Sequence, residues 1–193
     1  MKFQNKYKIE SIRLKYWDYS NPGMYFVTIC TKKFYHWFGN VIDGEMVLNN
    51  LGKIAEECWN EITDHFGNVE LDEFVIMPNH VHGIITILDV ETRRAVSLLE
   101  HINKFGPLKK GSLPIIVGSY KSAVTRLIRK HNTPNFAWQR RFYDHVNRNE
   151  DSLEKIQIYI RTNPEIWNKD RDIINEDRLF IKKILNKEIS LKD

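Results

Sequence analysis

"VELDEFVIMPNHVHGIITIL", residues 69 to 88, is the stretch on which the fold turns. Two runs rich in β-branched and aromatic residues, "VELDEFVIM" and "HVHGIITIL", are separated by little more than Pro78 and Asn79, the composition of a tight turn between antiparallel strands. In the second run, alternation with a period of two sends His80 and His82 to one side and Val81, Ile85 and Ile87 to the other, where they can anchor the strand in a core. Gly83 would let a neighbouring element come close. Two imidazoles at i and i+2, about 6.6 Å apart along the chain, can converge on one ion. They also suit polar residues on an exposed sheet face, and the spacing alone leaves both readings open.

Upstream, "YFVTICT" at residues 25–31 reads as a first strand, and Asp43-Gly44 within "VIDGEMVL" reads as a hairpin turn. From Leu51, apolar residues recur at Ile54, Ala55, Cys58, Trp59 and Ile62, the stripe of an amphipathic helix. Downstream, residues 89–117 show little periodicity and are expected to form a loop or insertion. A second helix is expected from about Ser119 to His131, with Tyr120, Ala123, Val124, Leu127 and Ile128 inward. "AWQRRFYDHV" predicts the fourth main strand, with Trp138, Phe142 and Val146 on one face and Gln139, Arg141, Tyr143 and His145 on the other. A third helix, about Asp151 to Asn163, follows an Asn149 cap and is expected to stop at Pro164. Residues 171–193 predict a helical extension. Apart from the Asp43-Gly44 hairpin, the order is strand, helix, strand, strand, helix, strand, helix. That order predicts an α+β, ferredoxin-like (split βαβ) antiparallel sheet with two helices on one face and the other face free.

The 193 residues, 42% hydrophobic and 12% aromatic, suit one domain. The absence of any apolar run near the ~20 residues of a membrane span, and the charged N-terminus, predict a cytoplasmic protein without a membrane partner. Cys30 and Cys58 read as small buried hydrophobes. The net charge of +4 is unevenly spread. Residues 43–73 hold nine acids against Lys53 alone, whereas residues 109–148 hold nine bases against Asp144 alone. Such polarity suits either a plain solvated surface or a face that meets a polyanion. In "IYIRTNP", Tyr159 and Asn163 are four residues apart and share a helix face. They could offer a phenol and an amide oxygen to the histidine pair, or pack as an ordinary core aromatic and a helix-terminal residue.

Taken together, "FVIMPNHVHGII", "IVGSYKSAVTRLIR" and "WQRRFYDHVNRNEDSLEKIQIYIRTNP" resemble, in order and spacing, the single-tyrosine HUH transposases, and most closely the REP-associated tyrosine transposases. With "LGKIAEECW" and the first strand, the resemblance covers about residues 20–170. It implies a ferredoxin-like fold with a C-terminal catalytic helix, His80, His82 and Asn163 as ligands of a divalent metal, Mg2+ or Mn2+, and Tyr159 as the nucleophile. Asn163 follows the REP-associated pattern, where the insertion-sequence relatives usually carry Gln. The implied reaction is nicking and strand transfer of single-stranded or hairpin DNA through a 5′-phosphotyrosine, by a monomer or homodimer. An alternative is a domesticated protein that binds DNA hairpins without turnover. In either case Lys121, Arg126, Arg129 and Lys130 would contact phosphates, Arg140, Arg141 and Arg148 would line the DNA path, and Gln139 and Tyr143 would bind DNA from the strand face beside it, where Tyr143 could stack on a base or stand in reserve as the nucleophile.

Overall fold

A computed structural model of the chain describes residues 2–3, 6–7, 17–89, 111–147 and 149–167. Two short N-terminal strands, β1 (Lys2–Phe3) and β2 (Lys6–Tyr7), pair only two residues each, antiparallel. The main sheet begins with β3 (Gly23–Cys30). A hairpin follows, β4 (Gly39–Ile42) and β5 (Glu45–Leu48), turned by Asp43 and Gly44 at φ 52° and 82°, the left-handed pair that a two-residue hairpin requires. Helix α1 (Asn50–Asn60) is capped by Asn49, whose side chain accepts from Leu51 N and Gly52 N, both at 2.9 Å. A short turn of helix, α2 (Ile62–His65), leads into β6 (Val69–Met77) and β7 (His80–Ile87), the antiparallel hairpin expected from the sequence. Helix α3 (Leu113–Lys130), strand β8 (Tyr143–Asn147) and helix α4 (Glu150–Ile166) complete the described chain.

The sheet order is β6-β7-β3-β8 with every neighbouring pair antiparallel, the split βαβ arrangement. Tyr25, Val27 and Ile29 of β3 and Val81, Ile85 and Ile87 of β7 point to one face, where α1 and α3 cover them. Gly83 belongs to the same set: a Cβ there would lie 2.2 Å from Trp59 Cζ2, so the indole of α1 rests directly on the strand backbone. Among the described residues, no helix is long and apolar enough to cross a membrane.

Four expectations need correction. The second sheet face is not free, because α4 lies on it and packs Ile156, Tyr159 and Ile160 against Phe26 and Ile84. Helix α3 starts at Leu113, inside the expected loop, since Pro114 occupies the first turn, where a missing N–H costs nothing. Residues 90–110 of that loop, the extension at residues 171–193 and Arg148 lie outside the described residues. Strand β8 is five residues long. Residues 138–142 run antiparallel beside the end of β3 without a continuous ladder, joined to it by a bridge between Thr31 and Trp138 and by Gln139 N donating to Cys30 O at 2.9 Å. Finally, α4 runs two residues past Pro164, closed by Trp167 N donating to Pro164 O at 3.3 Å.

Candidate functional site

Burial removes the reading of the histidine pair as residues on an exposed sheet face. His80 and His82 are 1% and 0% exposed, and their ring centroids stand 4.4 Å apart. Each ring is held at Nδ1. Asn79 Oδ1 lies 2.8 Å from His80 Nδ1, while Asn79 Nδ2 donates to Phe34 O at 3.3 Å, which fixes the amide's orientation. His80 Nδ1 must therefore carry the proton, leaving a lone pair on Nε2. Thr28 Oγ1 stands 2.9 Å from His82 Nδ1, because β3 and β7 place Thr28 directly opposite His82. An Nδ1–H donated to that hydroxyl leaves Nε2 of the second ring as the acceptor. Burial holds the His80 imidazole down at about 3, against the favourable neighbour Asn163 and with help from nearby His36. It holds His82 well below its ordinary value too, with His80 adding to the effect. Both rings are neutral at physiological pH, the form that binds metal ions.

Helix α4 brings the other half of the site. Tyr159, 5% exposed, places its hydroxyl 3.4 Å from His82 Nε2, and its ring is 5.3 Å from that imidazole. Asn163, one turn later and 1% exposed, faces His80. No hydrogen bond of good geometry reaches either atom of its amide or His80 Nε2, although Asn163 stands close enough to favour the protonated ring. Leaving such a group unpaired costs about 1–3 kcal/mol. Phe26, Ile84, Ile156 and Ile160, worth about 1.5–3 kcal/mol each on burial, hold the helix down and offset that cost. A buried imidazole nitrogen and a buried amide oxygen, both unpaired, are the donors a cation would satisfy. Among the described residues no three His, Cys, Asp or Glu side chains converge on a metal position, so an ion here would depend on Asn163.

The expected DNA contacts divide between two places. Lys121, Arg126, Arg129 and Lys130 lie on α3, on the opposite sheet face from Tyr159. Arg126 borders a groove of about 480 Å³ with Cys58, Glu61 and His65. Lys121 is committed internally, its Nζ donating to Gln139 O at 2.6 Å, and burial lowers its pKa. Arg129 donates to Phe136 O at 3.2 Å. Gln139, Arg140 and Arg141 lie on the segment that runs beside the end of β3, with both arginines exposed. Tyr143 is on the histidine face, but Phe26 contacts it at 6.4 Å and Tyr159 at 6.3 Å, so Phe26 lies against both tyrosines. Sequence reasoning missed Asn79, Thr28 and Trp167, whose ring stands 5.8 Å from His80 and 5.6 Å from His36. The adjacency of Asn79 to His80 was the one available signal.

No family model matches the chain. A Haemophilus influenzae protein described as uncharacterized is 41% identical over 163 residues, which cover 83% of this chain and 91% of the relative. Among solved structures, that of a REP-associated tyrosine transposase bound to a REP hairpin superposes with a TM-score of 0.53. It covers 81% of this chain and 73% of that one at 18% identity, a likeness of fold.

Proposed function

We propose, for a chain that belongs to the same protein family as the Haemophilus influenzae relative, that it nicks and rejoins single-stranded DNA at hairpins, with Tyr159 as nucleophile. The observation that carries this reading is the Tyr159 hydroxyl 3.4 Å from His82 Nε2, with unpaired His80 Nε2 and Asn163 in the same buried space. His80, His82 and Asn163 would hold a divalent ion, Mg2+ or Mn2+. When bound, that ion supplies positive charge to a phosphate oxygen and to the phenol beside it.

The chain's own residues supply position and the nucleophile. Tyr159 Oη attacks phosphorus, the Oη–P bond forms and the P–O3′ bond breaks. The phenol proton ends on the departing O3′. The products are a 5′-phosphotyrosine and a free 3′-OH, and because the bond is exchanged rather than hydrolysed, the reverse reaction can join another end. Phe26 and Ile84 wall the site and exclude water that would compete with the strand end. The fold shared with a REP-hairpin-bound transposase supports hairpin DNA as the substrate class.

The test is a labelled DNA hairpin with single-stranded flanks, incubated with protein and Mn2+ and run on a denaturing gel. A protein-linked band that needs the metal and is lost in Tyr159→Phe is expected. Hairpin binding with no such band would instead favour a binder without turnover.

A further inference from the structure

We propose that residues 32–37, between β3 and β4, form a subsite for the single-stranded nucleotides that flank the cleaved phosphate. Tyr35 and His36 would stack on bases, and Lys32 and Lys33 would hold phosphates. The proposal rests on the DNA-cleaving reading of the site.

Lys32, Lys33, Tyr35 and His36 are all exposed, Tyr35 by 55% despite its size. Their backbone, by contrast, is tied at both ends and in the middle. Thr31 N donates to Asn79 O at 2.8 Å, Lys32 N to Ala137 O at 2.8 Å, and Trp37 N and Phe38 N both to Pro78 O at 2.8 and 3.1 Å. Thr31 Oγ1 donates to Tyr35 O at 2.8 Å. Trp37 is rooted against Phe136, with ring centroids 5.9 Å apart. These ties hold Lys33 and Phe34 at φ 57° and 56°, a conformation that side chains rarely adopt. The exposed rings and ammonium groups therefore stand on a fixed support, so little ordering is needed when a ligand meets them.

The segment is also joined to the site. Asn79 bonds Phe34 O with one end of its amide and His80 with the other. The rings of His36, Trp167 and His80 form a row, 5.6 and then 5.8 Å between centroids. Exposed Arg140 and Arg141 continue the positive charge on the adjoining segment, which is bonded to Cys30 and Lys32. Cations interleaved with exposed flat rings match a single strand, whose phosphates and bases alternate in the same way. An acidic peptide would satisfy the lysines and leave the rings without a partner.

Fluorescence anisotropy with two DNA probes tests this: a blunt hairpin, and the same hairpin with single-stranded flanks. For the wild type the flanks should tighten binding at least about tenfold. The double variant Tyr35→Ala/His36→Ala should lose that increment, keeping blunt-hairpin affinity and melting temperature. Tyr35→Phe, which keeps the ring, should bind as wild type. Lys32→Ala/Lys33→Ala should reduce the slope of log affinity against log salt by about 1.4. A double aromatic variant that still gains fully from the flanks overturns the subsite, as does a wild type that binds hairpins with no preference for flanks. Both results leave the cleaving reading standing. A wild type that binds neither probe defeats that reading, and the subsite with it.

Discussion

Asn79 and Thr28 touch no atom that would react, yet they set which imidazole nitrogen faces the site. A partner of this kind typically accounts for 10–100-fold in metal affinity. Asn79→Ala and Thr28→Val should therefore weaken Mn2+ binding by about that factor in calorimetric titration. Unchanged affinity would show the bonds to be incidental. The same burial gives the metal-free protein a pH dependence. An unfolded histidine titrates near 6.5, whereas folded His80 is held at about 3 and His82 is also lowered. Below about pH 6.5 the unfolded chain takes up protons that the folded chain refuses, so stability is full above that pH and drains as pH falls toward 3. The slope is roughly 1.4 kcal/mol per pH unit for each ring. Urea denaturation at pH 7 and pH 5 measures it, and equal stabilities would count against neutral buried rings. Local spacings, i+2 on a strand and i+4 on a helix, showed that His80 shares a face with His82 and Tyr159 with Asn163, whereas the expectation that the two pairs meet came only from the family resemblance. Thr28 was not legible, since its place opposite His82 depends on a register between strands 54 residues apart.

Helix α4 must present Tyr159 at the correct rotation, and two contacts on its flank set that rotation. Gln157 Nε2 donates to both carboxylate oxygens of Asp72, at 3.1 and 2.8 Å, and Arg161 Nε lies 3.7 Å from Glu73 Oε1. Asp72 and Glu73 occupy the irregularity in the pairing of β6 with β7, which aims them at the helix. Loosening this clasp costs little burial but disturbs the attacking geometry, where small displacements weigh heavily. Asp72→Ala is expected to slow covalent adduct formation about tenfold or more while leaving hairpin affinity unchanged, as single-turnover rates and anisotropy would show. The hairpin and α1 could be read from sequence because turn chemistry and a 3.6-residue stripe act within a short window. The docking of α4 on the second sheet face could not, because its inward residues Ile156 and Ile160 would look the same packed on either face.

Across the whole molecule, the charge asymmetry was visible in the sequence, but which layer would carry each base was not. Arg126 lies on the α3 layer and Arg140 and Arg141 at the end of β3, although all three fall in one basic run. Arg140→Ala/Arg141→Ala should weaken DNA binding and flatten its salt dependence, whereas Arg126→Ala should bind nearly as wild type. Affinity against salt concentration separates the two, and a larger effect of Arg126 would place the DNA across the helices. In the proposed mechanism the buried half-sites on β7 and α4 act as one. The most direct test of this is mass spectrometry of the protease-digested protein after reaction with hairpin DNA and Mn2+. A nucleotide mass on the peptide containing Tyr159, absent in Tyr159→Phe, is the predicted result. Attachment at Tyr143, or cleavage with no attachment at all, would contradict it.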